Sequence, residues 1–149
     1  MSSVDRSGTD GDTEPVPGAA AATLVSPLLR EDIPADATYL VGVRKAVEEW
    51  ALTAGFGREI VTDIVAASYE ALANAAEHGY RNRPGTIDLL ATGSDTEIEI
   101  VVRDRGEWRP PPVDPGFRGR GLVMIRSMSS WAEIEPGPDG TTVRMRWSR

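Results

Sequence analysis

Cysteine is absent from this chain of 149 residues, which excludes disulfide bonds and thiolate-ligated metal sites. No long apolar run and no signal-peptide pattern is visible near the N-terminus, so nothing in the sequence predicts a membrane segment or export. We therefore expect a soluble, cytoplasmic protein that does not bind a membrane.

Large apolar residues are scarce in the first 23 residues, MSSVDRSGTDGDTEPVPGAAAAT. A segment this rich in Ser, Gly, Asp, Pro and Ala buries too little surface to offset the entropy lost on ordering. The rest of the chain suits a single core, since 40% of all residues are hydrophobic. We predict a disordered acidic tail over residues 1–23 and one folded domain over residues 24–149.

Charge is distributed unevenly along the chain. The net charge is −7, and residues 1–32 contribute more than half of it, with six acidic residues against two arginines. Residues 103–126 instead contain six arginines and three acidic residues, and could hold an anion. Because a nucleic-acid surface usually needs a larger basic field, we expect no direct nucleic-acid binding.

Hydrophobic periodicity predicts helices early in the chain and strands mostly late. This order favours an α+β two-layer sandwich, a mostly antiparallel sheet with helices on one face. The predicted elements are an edge strand near residue 24 interrupted by Pro27, a helix between Asp36 and Gly55, a helix from about Arg58 to His78, strands around 87–91 and 98–102, a helix over 122–128, and strands around 132–135 and 141–147. The predicted buried helix faces are Tyr39, Leu40, Val43, Ala46, Val47, Trp50 and Ala54, and then Ile60, Ile64, Ala67, Ala71 and Ala75.

The second predicted helix contains EALANAAEHG, in which Glu70, Asn74 and His78 follow one another at intervals of four. On a helix these positions form one polar row, here beside alanines that allow close approach. A carboxylate and an amide oxygen are hard donors of the kind that Mg²⁺ takes when nucleotide phosphates supply its other ligands. The ordinary alternative is a solvent-facing stripe of an amphipathic helix.

Asp104 is the second candidate. It shares strand parity with Ile98, Ile100 and Val102, so it is expected to point inward. A buried carboxylate needs a donor, which the exocyclic amine of adenine would supply, and Gly106 would let the chain turn beside a flat base. Alternatively, the aspartate caps the turn of its own loop.

The third segment, GFRGRGLVMIRSM, places glycines 116, 119 and 121 before a helix. Free backbone N–H groups, a helix N-terminus and the side chains of Arg118 and Arg120 could face a phosphate. The segment matches neither a P-loop nor a dinucleotide fingerprint, and a surface connection is the ordinary alternative. In the last strand, Thr141 shares parity with buried positions and would present its hydroxyl to the interior, unless that hydroxyl bonds its own backbone.

Together and in this order, the segments EALANAAEHG, DRG, GRGL and GTTV resemble the N, G1, G2 and G3 boxes of the GHKL, or Bergerat, ATP-binding fold of DNA gyrase, histidine kinases and MutL proteins. The forms ANAAEHGY and GRGLVMI are most similar to the anti-sigma factor serine/threonine kinases, the RsbW-like group. This resemblance, over about residues 24–149, implies a homodimeric protein that binds ATP and Mg²⁺ and sequesters a sigma factor. It also implies phosphorylation of a serine or threonine on an anti-anti-sigma antagonist of the STAS type.

The same resemblance implies a role for individual residues. Asn74 would be the Mg²⁺ ligand, Glu70 the general base and Asp104 the partner of the adenine amine. The other implied nucleotide-binding residues are His78, Gly106, Gly119, Arg120, Gly121, Leu122 and Thr141. The stiff run RPPPVDPG departs from a glycine-rich lid.

Two other functions fit the same residues. One is a regulatory module that binds nucleotide and sequesters a partner without transferring phosphate. The other is an interaction domain whose glycines only form loops.

Overall fold

The computed structural model of the protein describes residues 25–81, 83–107 and 120–149, with Arg120 described by its backbone alone. The predicted disordered tail, the proline-rich loop and Gly119 lie outside these residues. Within the described ranges, no helix is both long enough and apolar enough to span a bilayer.

One antiparallel sheet forms the first layer, as predicted. Its order is β1-β2-β3-β5-β4, and every neighbouring pair is antiparallel. The strands are β1 (Leu28–Pro34), β2 (Thr86–Gly93), β3 (Glu97–Asp104), β4 (Trp131–Gly137) and β5 (Gly140–Ser148). Alternate residues of the three central strands are buried toward the helices, namely Ile87, Leu89, Ala91, Ile98, Ile100, Val102, Val143, Met145 and Trp147.

Three helices form the second layer: α1 (Ala37–Thr53), α2 (Arg58–Asn74) and α3 (Arg120–Ser127). The side chain of Asp36 accepts a hydrogen bond from the backbone of Thr38 at 2.8 Å and caps α1. Gly55 adopts a φ of +84° just after the helix, the conformation that ends helices at glycine. Both predicted limits of the first helix are thus confirmed.

Two details of the predicted helices are wrong. Tyr39 is 58% exposed and does not belong to the buried face of α1, because its neighbour Leu40 takes the inward position in this turn. The second helix is α-helical only to Asn74, and residues Ala75–Gly79 form a π-helical turn. The backbone N–H of Tyr80 donates to the carbonyl of Ala75 at 3.1 Å, which closes this wider turn.

β1 lies at an edge of the sheet, as Pro27 suggested, but its interruption lies elsewhere. The register with β2 shifts between Arg30 and Ile33, where Asp32 has a φ of +54°. The backbone N–H of Asp32 donates to the Asp88 carboxylate at 2.9 Å instead of continuing the ladder. The strand is therefore bulged at a run of charged residues.

Candidate functional site

Predicted site residues gather where α2 ends. Glu70 and Asn74 are half-buried and lie one turn apart on α2. The alanines on the adjacent face, Ala67, Ala71 and Ala75, are buried in the core. Their small side chains allow α2 to pack closely, while the carboxylate and the amide stay within reach of a ligand.

The start of α3 lies directly over Asn74. A Cβ atom added to Gly121 would lie 2.6 Å from Nδ2 of Asn74, a separation that real Cβ atoms essentially never show. Only glycine therefore allows this approach. Leu122 is half-buried against the core, while the side chain of Arg120 lies outside the described residues. Two segments that are nearly 50 residues apart in the chain thus meet, as their box assignment predicts.

The π-helical turn brings Gly79 against the carboxylate of Asp104. A Cβ on Gly79 would lie 3.1 Å from Oδ1 of Asp104, and a Cβ on Gly106 would lie 2.2 Å from the carbonyl oxygen of Gly79. The backbone N–H of Glu107 donates to that same carbonyl at 3.0 Å. Glycine backbone therefore lies beside the carboxylate at Gly79 and Gly106, and neither residue adds a side chain that would shield it.

Asp104 points inward, as its strand parity predicts, and only 6% of it is exposed. Its Oδ1 accepts a hydrogen bond from the N–H of Gly106 at 2.9 Å, so the alternative of a local turn cap also holds. Burial raises the pKa of the carboxyl, while the backbone N–H groups of Gly106 and Thr141 act in the opposite direction. A carboxylate has about four acceptor positions, so these donors leave capacity for a ligand amine.

The beginning of β5 lies beside Asp104 on a further side. Thr141 is buried, as predicted from its parity with Val143. Gly140 has a φ of +136°, and a Cβ on it would lie 1.9 Å from the backbone oxygen of Asp104. Gly140 therefore allows β5 to start directly beside the end of β3.

His78 and Glu70 make fewer contacts with the rest of the predicted site. His78 is in the π-helical turn, so it does not continue the row of Glu70 and Asn74 at regular α-helical spacing. Its Nε2 lies 3.9 Å from a carboxylate oxygen of Glu77, which is mostly exposed. Among the described residues, no hydrogen bond or ion pair joins Glu70 to Asp104.

The donor set fits a magnesium nucleotide. No group of three or more His, Cys, Asp or Glu side chains in the described ranges could hold a metal ion. Asn74, with Glu70 one turn away, offers one or two oxygen ligands, the number that Mg²⁺ takes when phosphates complete its coordination. Glycine backbone packs closely against both Asn74 and Asp104, so no side chain projects from Gly121, Gly79 or Gly106 toward a ligand bound at either residue.

Two residues of the site were not predicted for their roles there. Gly79 was predicted only as a helix stop, and its contact with Asp104 depends on the π-helical turn. Gly140 lies in the turn PGPDG, and a glycine just before the buried Thr141 was the available signal. Both now belong with Asp104 and Gly106.

Comparison with known proteins identifies a family. Residues 33–147 match the model of the histidine kinase-like ATPase domain. The anti-sigma F factor of Thermoanaerobacter sp. strain X514 is 33% identical over 99 residues, which cover 58% of this chain and 69% of that protein. The serine-protein kinase RsbW of Oceanobacillus iheyensis is 34% identical over 76 residues, covering 50% of this chain and 48% of that protein.

A similar solved structure contains the RsbU and RsbW domains of Rv1364c from Mycobacterium tuberculosis. It superposes with a TM-score of 0.68 at 31% sequence identity, over 84% of this chain. The chain covers 33% of that larger protein. The similarity therefore concerns one part of a multidomain relative.

Proposed function

This chain belongs to the histidine kinase-like ATPase family, and we propose that it is an ATP- and Mg²⁺-dependent anti-sigma factor with serine/threonine kinase activity. It would sequester a sigma factor and phosphorylate a serine or threonine of a STAS-type antagonist in the cytoplasm. The kinase domain would comprise residues 24–149 and act as a homodimer. Relatives named anti-sigma F factor and serine-protein kinase RsbW support this proposal.

One observation carries the nucleotide assignment: the carboxylate of Asp104 is buried at the end of β3 and is bordered by Gly79 and Gly106. Burying this charge is costly, and the backbone donors of Gly106 and Thr141 offset only part of the cost, which a ligand amine would reduce further. The exocyclic amine of adenine is a planar donor that would match the charge, and the absence of side chains on Gly79 and Gly106 would let a flat base lie close to it. Thr141 would border the base from β5.

The phosphates would extend from this pocket toward Asn74 and the start of α3. Mg²⁺, when bound, supplies positive charge at the phosphate oxygens, and Asn74 is the residue that would hold it. The close packing of Gly121 fixes the Asn74 amide from above. Gly119, Arg120, Gly121 and Leu122 would line the phosphates, and His78 would lie near the same end of α2.

Glu70 would act on the incoming hydroxyl group. It is half-buried one turn before Asn74, and on one helix face this spacing would bring its carboxylate toward the proposed phosphate position. As the serine oxygen bonds to the terminal phosphorus and the bond to the leaving ADP breaks, Glu70 would orient the hydroxyl and take its proton. Positioning of this kind supplies much of the catalysis in phosphoryl transfer.

The test is transfer of labelled phosphate from ATP to a panel of STAS-type antagonists in the presence of Mg²⁺. We expect Glu70→Ala to abolish transfer and to bind ATP as the unaltered chain does. Asp63→Ala is a matched control, because Asp63 is an exposed acid two turns earlier on the same helix. It should leave transfer unchanged.

Three other results would redirect the proposal. Equal transfer by the Glu70→Ala variant would remove Glu70 from its role. Binding of ATP without transfer to any antagonist would favour a regulatory module that sequesters its partner without kinase activity. Absence of ATP binding would reject the nucleotide assignment itself.

A further inference from the structure

Tyr80 connects three segments around Asp104. Its phenol oxygen donates a hydrogen bond to the carbonyl of Thr86, at the beginning of β2, at 2.5 Å. The same oxygen accepts a hydrogen bond from the backbone N–H of Arg105 at 2.8 Å. Arg105 directly follows Asp104, so one side chain bonds both to the entry of β2 and to the residue after the pocket carboxylate.

The ring of Tyr80 packs closely against Gly85. A Cβ added to Gly85 would lie 2.3 Å from two ring carbons of Tyr80, so only glycine at position 85 leaves room for this ring. At its backbone, Tyr80 closes the π-helical turn through its bond to Ala75. This turn is the element that presses Gly79 against Asp104.

Asp104 is therefore fixed from both directions along the chain. Gly79, which touches its carboxylate, precedes Tyr80, and Arg105, which Tyr80 holds, follows Asp104. We propose that Tyr80 is a positioning residue that orients the Asp104 carboxylate for recognition of the adenine amine. This inference rests on the proposed nucleotide-binding function and adds to it the residue on which base selectivity depends.

The side chain of Arg105 offers a competing explanation for the position of Asp104. Its Nη2 lies 2.8 Å from Oδ2 of Asp88, but half of the arginine side chain is exposed. Ion pairs between exposed groups constrain little because solvent screens them. The phenol of Tyr80 instead bonds to the backbone and is half-buried, so it defines where the chain leaves β3.

The experiment compares two nucleotides by titration calorimetry with the full chain. ADP has the exocyclic amine, whereas inosine diphosphate has an oxygen at that position and cannot donate there to Asp104. We expect Tyr80→Phe, which keeps the ring and removes the hydroxyl, to weaken ADP binding roughly five- to tenfold, the effect of losing one hydrogen bond. Affinity for inosine diphosphate should stay unchanged, because that nucleotide does not use the amine contact.

Gly85→Ala is a second, independent variant. It keeps the hydroxyl group chemically but displaces the Tyr80 ring that carries it, so it should also lower the ratio of ADP affinity to inosine diphosphate affinity. Tyr39→Phe is the control, since Tyr39 is 58% exposed on α1. It should change neither affinity.

The outcomes separate this inference from the function on which it rests. An equal loss of affinity for both nucleotides in Tyr80→Phe would mean that Tyr80 only supports the fold. An unchanged ratio of the two affinities in both variants would mean that Tyr80 does not orient Asp104. Either result overturns the inference. If the unaltered chain binds ADP and inosine diphosphate equally, the adenine role of Asp104 is lost, and the inference with it.

Discussion

Gly121 and Asn74 touch across the boundary between α3 and α2. A Cβ on Gly121 would lie 2.9 Å from Oδ1 and 3.1 Å from Cγ of Asn74, in addition to its contact with the amide nitrogen. The amide is the only part of Asn74 that could serve a metal ion. A substitution at Gly121 therefore acts directly on the proposed ligand without changing it chemically.

We expect Gly121→Ala to weaken binding of ATP with Mg²⁺ at least tenfold, because the added methyl group displaces the Asn74 amide. Overpacking of this kind also costs about 1–3 kcal/mol of folding stability. Calorimetry with ATP in the presence and absence of Mg²⁺ measures the effect, and the loss should be larger with the metal.

Gly42→Ala is the matched control for this substitution. Gly42 lies within α1, and a Cβ there would meet nothing within 4 Å. It should leave nucleotide affinity unchanged and raise the free energy of unfolding by about 0.5–1 kcal/mol, since alanine favours a helix interior over glycine. Unchanged nucleotide affinity in Gly121→Ala would show that Asn74 does not hold the metal.

Asp104→Asn should weaken nucleotide binding and at the same time stabilise the nucleotide-free protein. The variant loses the charge that we propose accepts the adenine amine, and loss of a charge-assisted hydrogen bond of about 1.5–3 kcal/mol corresponds to roughly 10- to 150-fold weaker ADP binding. The nucleotide-free variant should nevertheless unfold at a higher urea concentration at neutral pH, because the buried charge is gone. Urea titration and calorimetry on the same samples measure the two quantities.

The difference in stability between Asp104→Asn and the unaltered chain should depend on pH, because the pKa of Asp104 is raised. The folded state binds the proton more tightly than the unfolded state, so the stability that this carboxyl contributes is fully present below its ordinary pKa of 3.8 and is lost as the pH rises through the raised value. The gain in the free energy of unfolding from Asp104→Asn should therefore be largest at neutral pH and should decrease as the pH is lowered. An advantage independent of pH would contradict the assignment of the cost to ionisation.

Ser68→Ala should stabilise the free protein. Ser68 is fully buried in α2, and its hydroxyl oxygen has no hydrogen-bond partner among the residues that the structure describes. An unsatisfied buried hydroxyl costs about 1–3 kcal/mol, which exceeds the packing lost with one oxygen atom. We expect a gain of roughly 1 kcal/mol in the free energy of unfolding, measured by urea titration.

Ser129→Ala provides a comparison of opposite sign. The hydroxyl of Ser129 donates to the carbonyl of Ile125 at 2.6 Å, so its removal should cost about 0.5–1.5 kcal/mol. A stability loss in both variants would show that the Ser68 hydroxyl does find a partner.

Strand alternation was the most informative feature of the sequence. It correctly predicted that Asp104 and Thr141 face inward, because the sheet is covered by helices on one side and a shift of one residue would turn every apolar side chain of β3 outward. The helix limits at Asp36 and Gly55 were also predictable, since a side-chain cap and a positive φ are local properties.

The π-helical turn was not predictable from residue types. The turn contacts Asp104 at the end of β3 and the backbone of Glu107 just beyond that strand, and contacts with residues so distant in the chain do not enter helical spacing. The prediction that Tyr39 is buried was wrong for a related reason, because helical spacing alone does not show how far a buried face extends at the first turn. The roles proposed for Glu70, Asn74 and His78 stay predictions.

The bulge in β1 affects how this molecule can associate. An edge strand with regular unpaired N–H and C=O groups invites a further strand from another chain, the step by which sheets grow into fibrils. Here the charged run from Arg30 to Asp32 and the irregular register break that template near the middle of the edge. A second copy that met this edge would therefore find no continuous ladder to extend, and the local irregularity disfavours strand addition at this side of the sheet.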